Sequence, residues 1–562
     1  MPRRSALLLA SAAAAALAVL GVGPASPRAA SPFTRPVVLA AGPIVVPSDR
    51  VGGGFRRVTF SPDGDGRHDV VTIRVRVRPG DGLSLSVRPD SRSAGAVALP
   101  TPHTAVTTVT WDGFQPGGGR YPDGSYVIRV CDTTTNRCSR TGVLAHLRLL
   151  TDSTRTATAV SAGTTIPVDI ASDRAGPYRL DLVSAADASG EGLGGVDVPS
   201  AGRVDYRIPA VPYGGLWLLR VRSGDVVSHF PLVVHQPGMA LDDPAPHTAL
   251  VVYPWLTWRA YDMVDLNRDG RVDSWYAHPR DPVVPLYGPF EPWTTDPVLT
   301  GREANPESQD AFAGWLLAHK LTAQHVTDVE LGRMPPSTLR KYAFVVFEGH
   351  TEYYELGTYE KLLRYRNGGG RLYFFQGNPF YGQAQIRGAN VVRLSYRYRT
   401  PERSDFEIAA NGFRECCWPA TIRPVYHLAP GAVEALPWAF AGTGLKDGDA
   451  FGVAAGEVDT VDPQLSPRDT LVLAAATVPA FTPTSEKEAE GWIGTKPVPY
   501  PPAWKQPRRI TIVYARAGKG EVFSWGNTGF LKTVRLPGFG VPPAEQAALD
   551  RVALDVWEHF AR

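Results

Sequence analysis

At His247 the hydrophobic pattern of this chain changes, and that change limits the possible folds more than any other feature. Before it, over residues 45–150, short runs alternate in the manner of Val70-Val71-Thr72-Ile73-Arg74-Val75-Arg76-Val77. Pro-Asp-Gly and Gly-Gly turns separate them, which is the pattern of an antiparallel sandwich. A second β segment covers residues 151–240, with its clearest strands at 178–183 and 216–221, and it carries no recognisable chemistry. After His247, residues 250–253 and 342–347 read as apolar strands, while 310–319 and 359–365 have helical spacing. Gly368-Gly369-Gly370 stops the second helix before a strand at 371–375. Strand, helix and strand with short turns predict an α/β domain with a mainly parallel sheet. The expected fold class is therefore multidomain: N-terminal β-sandwich modules at 45–150 and 151–240, then an α/β domain over 247–562.

The N-terminus adds a compartment. Met1-Pro2-Arg3-Arg4 is followed by an uncharged stretch of Ala, Leu and Val from Ala6 to Val22, then by the small residues Gly23, Pro24, Ala25 and Ser26. A short basic region, an apolar stretch and small residues make a secretory signal peptide, placed at about 1–30. Cleavage after Ala25 and cleavage nearer Ala40 both remain open, as do ordinary and twin-arginine export. No later apolar run reaches about eighteen residues, so the secreted chain is expected to have no membrane span. A net charge of +3 without a basic run argues against a nucleic-acid partner. In an oxidising compartment Cys131 and Cys138, flanking a six-residue polar turn, suit a hairpin disulfide. Cys416 and Cys417 are adjacent, either as buried thiols or as a vicinal disulfide.

The strand at 342–347 runs into Glu348-Gly349-His350-Thr351-Glu352-Tyr353-Tyr354. In a parallel sheet the ligand site lies beyond the carboxyl ends of the strands. His350 and Glu352, two residues apart, can reach the same side of an extended backbone. The next parallel strand ends in Phe375-Gln376-Gly377-Asn378, which brings Asn378 beside them. The same residues also suit a solvated loop, and Tyr353 and Tyr354 suit packing.

Two resemblances enter on these motifs. Phe60 to Gly66, Thr110-Trp111-Asp112-Gly113 and Tyr121 to Tyr126 resemble the Ig-like modules related to the flagellar hook-capping protein, which are structural spacers. From Thr248 onward, Thr257-Trp258-Arg259-Ala260-Tyr261-Asp262, Ser274-Trp275-Tyr276, Gly314-Trp315-Leu316, Gly349-His350-Thr351-Glu352-Tyr353 and the run from Gly370 to Asn378 resemble the C-terminal domain of the N,N-dimethylformamidase large subunit. That resemblance implies a mononuclear iron held by two tyrosinates and a glutamate, which activates water to hydrolyse a small amide. Carried over, Tyr261 and Tyr276 are the phenolate ligands and Glu352 the carboxylate. His350 and Asn378 lie around the metal, and Glu457, in Gly456-Glu457-Val458-Asp459, orients the water or takes its proton. The resemblance also implies a small partner subunit encoded elsewhere.

The chain departs from that family between the two tyrosines. Asp265, Asn267, Asp269, Gly270 and Asp273 follow the oxygen spacing of the first part of an EF-hand or dockerin loop, with Tyr276 where a bidentate Glu belongs. The insertion is expected to bind calcium through Asp265, Asn267, Asp269 and Asp273, or else to be a polar turn. Asp63, Asp65 and Asp69 are a weaker candidate of that type, and suit a turn better. There is no Gly-x-Ser-x-Gly, His-Glu-x-x-His, Walker or dinucleotide motif to support other chemistry. Two functions fit: a secreted iron-dependent hydrolase of small amides, and a non-catalytic, calcium-stabilised extracellular binding or adhesion protein.

Overall fold

The computed structural model describes residues 37–41, 57–60, 70–76, 82–89, 96–98, 106–113, 124–133, 137–145, 149–152, 157–172, 176–187, 190–223, 226–262, 275, 283–287, 290, 306–395, 404–415, 422–480, 506–531 and 540–562. The signal-peptide region, the acidic groups at 63–69 and 265–273, Tyr276 and the Cys416-Cys417 pair lie outside the described residues.

The first module is built from two sheets. One has three strands, Val37–Ala41, Val71–Arg76 and Val106–Trp111, and the other has five, centred on the Gly124–Asp132 and Arg137–Ala145 hairpin. The register of that hairpin sets Cys131 directly opposite Cys138. The second module repeats the plan. Its five-stranded sheet runs in the order Ala159–Val160, Val226–Val234, Gly215–Ser223, Tyr178–Ser184 and Leu193–Val198. Its three-stranded sheet runs Gly202–Arg207, Thr165–Ser172 and Leu149–Asp152. Inside it Asp181 accepts both Nε and Nη2 of buried Arg220, a fork-to-fork pairing that satisfies two charges removed from water.

The C-terminal domain carries a nine-stranded sheet. Its order is Ala323–Thr327, Ala249–Tyr253, Phe344–Glu348, Arg371–Phe375, Gly520–Ser524, Arg508–Ala517, Thr470–Val478, Val425–Leu428 and Ala450–Val453. The first five strands are mutually parallel, and every later pairing is antiparallel. The expected mainly parallel sheet is thus corrected to a mixed one. Helices Trp255–Tyr261, Pro306–Ala318, Asp328–Arg333 and Leu356–Asn367 lie in the connections among the first four strands, whereas Gly520–Ser524 is entered through its antiparallel hairpin with Arg508–Ala517, which needs no helix. The hairpin at Gly518-Lys519 is the clearest case, joining Arg508–Ala517 to Gly520–Ser524.

The parallel strands are buried on both faces, which explains their continuous apolar runs. Ala323–Thr327 is the exception: it carries Gln324 and His325, yet all five residues are buried. It is an edge strand, and the second module covers it. Gln324 Oε1 accepts the Gln236 amide at 2.8 Å, and its Nε2 donates to the Met239 carbonyl at 3.1 Å. Hydrophobic burial continues from the second module into this domain without a break. The closing helix Pro543–Ala561 packs Leu549, Val552, Val556 and Phe560 into the core. Among the described residues no helix is long and apolar enough to cross a membrane.

Candidate active site

The first parallel strand in sequence, Ala249–Tyr253, feeds the helix Trp255–Tyr261, all of whose residues are buried. The chain then returns to pair on one side of that strand with Ala323–Thr327, and afterwards on the other with Phe344–Glu348. Connections therefore diverge between Ala249–Tyr253 and Phe344–Glu348, and such a switch point opens a crevice at the carboxyl ends. Tyr261 reaches it from one strand, His350 and Glu352 from the other.

The turn bearing His350 and Glu352 is held from three sides. Gly349 takes φ 76°, a left-handed conformation that side chains disfavour. The Thr257 hydroxyl, on the helix that bears Tyr261, accepts the amides of both Glu352 at 3.0 Å and Tyr353 at 3.1 Å. Gln376 Oε1 accepts the Thr351 amide at 2.7 Å, and the Thr351 and Glu352 carbonyls accept the amides of Phe380 and Gly382. Every anchor of this turn is a buried hydrogen bond, the arrangement that fixes a geometry most firmly.

The side chains then converge. The Tyr261 hydroxyl donates to Glu352 Oε2 at 2.6 Å. His350 Nε2 lies 3.8 Å from that same oxygen and 2.8 Å from Glu457 Oε2. Asn378 Nδ2 donates to Glu457 Oε2 at 2.5 Å and stands 3.4 Å from His350 Nε2. All five groups are buried. Glu457 arrives from the antiparallel side of the sheet, where Thr528 brackets it: its amide donates to the Thr528 hydroxyl at 2.8 Å and its carbonyl accepts the Thr528 amide at 3.0 Å. Gly377 passes so close to the Glu457 carbonyl that a Cβ there would collide with it.

Of the residues expected from the sequence, Tyr261, His350, Glu352, Asn378 and Glu457 thus share one cluster. The cluster is buried, which separates it from a solvated loop. Tyr353 and Tyr354 are packing residues: Tyr353 meets Trp275 edge-on at 4.7 Å, and Tyr354 lies against Tyr359 and Phe380. The calcium residues Asp265, Asn267, Asp269 and Asp273 lie outside the described residues, as does Tyr276. Trp275, the chain neighbour of Tyr276, donates its amide to the Ala260 carbonyl at 3.1 Å.

Among the described residues no three His, Cys, Asp or Glu side chains gather as a metal cage. A metal here would rest on phenolate oxygen as well as carboxylate. Tyr261 and Glu352 supply that pair of hard, buried oxygen donors at 2.6 Å, and such donors suit ferric iron.

Four supporting residues were not expected as such. Thr257 and Gln376 hold the turn through backbone amides, and Asp459 accepts the Asn378 amide at 2.8 Å. Gln376 and Asp459 stand inside motifs visible in the sequence, Phe375-Gln376-Gly377-Asn378 and Gly456-Glu457-Val458-Asp459. Thr528 carries no signal in the sequence.

A family model described as N,N-dimethylformamidase beta subunit-like, C-terminal, matches residues 201–539. It begins inside the second β module, in keeping with the shared core. No curated protein matches the chain. Among solved structures, Escherichia coli α-2-macroglobulin activated by porcine elastase is 12% identical over 34% of this chain and 21% of its own, with a TM-score of 0.17. The chain thus spans about a fifth of that protein's length. A chimeric titin Z1Z2 tandem is 15% identical over 32% of this chain and 96% of its own, with a TM-score of 0.17. Dpr11 IG1 bound to DIP-gamma is 14% identical over 33% and 98%, with a TM-score of 0.13. The fold described above rests on strand order and register.

Proposed function

Because the chain belongs to the N,N-dimethylformamidase beta subunit-like family, we propose that it is an exported, iron-dependent hydrolase of the carbon-nitrogen bond of small, non-peptide amides. The observation that carries this reading is the buried convergence of Tyr261, Glu352, His350, Glu457 and Asn378 at the switch point of the parallel strands. Tyr261 and Glu352, with Tyr276, would hold the metal. Bound there, iron would polarise the amide carbonyl and acidify water.

The chain's own groups manage the protons. Glu457, 2.8 Å from His350 Nε2, takes a proton from the attacking water, and the pair delivers it to the departing nitrogen. One C–O bond forms, one C–N bond breaks, and the products are a carboxylic acid and an amine. Asn378 holds the Glu457 carboxylate in place through its Nδ2. Burial strengthens each of these contacts, because few waters remain to compete. In the same reading the 265–273 loop binds calcium outside the cell, Cys131 and Cys138 form the hairpin disulfide, and a small partner subunit completes the assembly.

The test is elemental analysis and an absorption spectrum of the purified mature protein beside a Glu352→Ala variant, with formamide and N,N-dimethylformamide as substrates. About one iron per chain, a visible tyrosinate band and amide turnover, all lost in the variant, are expected. Calcium alone, with no transition metal and no difference between the two proteins, would sink the hydrolase reading.

A further inference from the structure

We propose that Asp459 is a positioning residue of this site: it fixes the backbone of Asn378 so that the Asn378 amide group can hold Glu457. The inference rests on the hydrolase reading and adds to it the element that sets the Asn378–Glu457 contact. Glu457 and Asp459 are two residues apart around the strand Val458–Thr460, so both can project to one side and grip Asn378 at two points. Asp459 Oδ1 accepts the Asn378 backbone amide at 2.8 Å, while Glu457 Oε2 accepts its side-chain amide at 2.5 Å. Asn378 needs that grip, because its backbone takes φ 53°, a left-handed conformation uncommon outside glycine.

Asp459 is itself anchored by its neighbours. It is wholly buried, and its own amide donates to the Gly526 carbonyl at 3.0 Å. Its strand pairs with Gly412–Glu415 on one side and meets Asn527 on the other. Burial drives its carboxyl well above the usual carboxylate range, Asp405 and Glu457 push the same way, and the Asn378 amide and His350 oppose them. Asparagine has the same shape and keeps an oxygen for the Asn378 amide, so Asp459→Asn preserves the contact. Alanine and serine leave the Asn378 amide without its acceptor.

Crystal structures of the full chain and of Asp459→Asn, Asp459→Ala and Asp459→Ser, with melting curves and with kcat and KM on formamide and N,N-dimethylformamide, decide the matter. Asp459→Asn should keep Asn378 left-handed and on Glu457, with kcat within about twofold of native. Asp459→Ala or Asp459→Ser should free Asn378 from Glu457 and lower kcat by about tenfold to a hundredfold while KM stays nearly constant, the mark of a misplaced group in a bound complex. The serine variant stands in should the alanine variant fail to fold. An Asn378 unmoved in the alanine or serine variant, or an asparagine variant as damaged as alanine, overturns the proposal. If the native protein cuts neither amide, the hydrolase reading fails, and the crystallographic comparison still decides the role of Asp459.

Discussion

Two buried histidines belong to the parallel half of the sheet, His325 in the middle of the edge strand and His350 just past the end of Phe344–Glu348, and their surroundings could hardly differ more. His350 lies 2.8 Å from Glu457 and 3.8 Å from Glu352, with the Tyr261 ring beside it. His325 lies in the edge strand Ala323–Thr327, against the second β module. Its Nδ1 is 3.3 Å from the Tyr253 hydroxyl, and the charge nearest it in effect is His235, a second imidazole. Burial, and then His235, push the His325 pKa from 6.5 down to about 3, so His325 stays neutral throughout the ordinary range. Burial alone therefore does not make a histidine a proton carrier. In the proposed mechanism the buried carboxylate partner of His350 does, because a charge or a proton can then be shared within the pair.

The sharpest way to break that contrast is to remove each histidine. His350→Ala should lower kcat for amide hydrolysis by about 10²–10⁴-fold, the usual scale of a lost general acid–base group, and should lower the melting temperature as well, because the buried Glu457 carboxylate loses its partner. A His350→Ala protein that turns over at the native rate would reduce His350 to packing, like His325. A smaller but still large effect is expected from Gly377→Ala. The new methyl group meets the Glu457 carbonyl, so backbone must move, and overpacking of that kind costs about 1–3 kcal/mol. Both the melting temperature and kcat should fall, since the displaced group is the partner of His350. Loss of stability with intact kcat would mean that Glu457 is not held in place from this side.

The difference between the two histidines also marks what was legible in the sequence. Gly349-His350-Thr351-Glu352 could be read because an apolar strand ends just before it, and the carboxyl end of a parallel strand is where a site belongs. Glu457 needed the family motif, since no local periodicity points from residue 457 to residue 350. Thr257 and Asp459 could not be read as site residues, because what they contribute is a hydrogen bond to a backbone amide far away in sequence. The strand holding His325 was missed for a related reason: Gln324 and His325 break the apolar run, and their burial depends on a module whose docking the local sequence does not encode. Sheet direction failed differently. The helical spacing of the first crossovers predicts parallel pairing throughout the domain, whereas Arg508–Ala517 and Gly520–Ser524 pair antiparallel across the tight turn at Gly518-Lys519.

Thr257→Val sharpens the comparison at the joint between the helix and the turn. Valine keeps the shape but leaves the buried amides of Glu352 and Tyr353 without their acceptor, at a cost of about 1–3 kcal/mol. The expected outcome in denaturant melts is a loss of that size, together with a weaker visible iron band, because Tyr261 and Glu352 sit on the two elements that Thr257 joins. Unchanged stability would mean that water replaces the hydroxyl.

The effect expected at His325 vanishes near neutral pH, and it is a change of slope. The unfolded chain takes up a proton at this residue below about pH 6.5, whereas the folded chain refuses it until about pH 3. Between those values the unfolded state binds more protons, so stability falls as pH falls, by up to about 5 kcal/mol for this one group. His325→Gln removes the titration and keeps a polar side chain beside Tyr253. Native protein and variant should therefore unfold with similar free energies near pH 7.5 and diverge below pH 6, the variant losing less on the way to pH 4. Urea melts at three or four pH values measure this directly. Parallel curves would show that His325 takes up its proton in the folded protein too, unsealed by the second module, and the contrast with His350 would then lie in their partners alone.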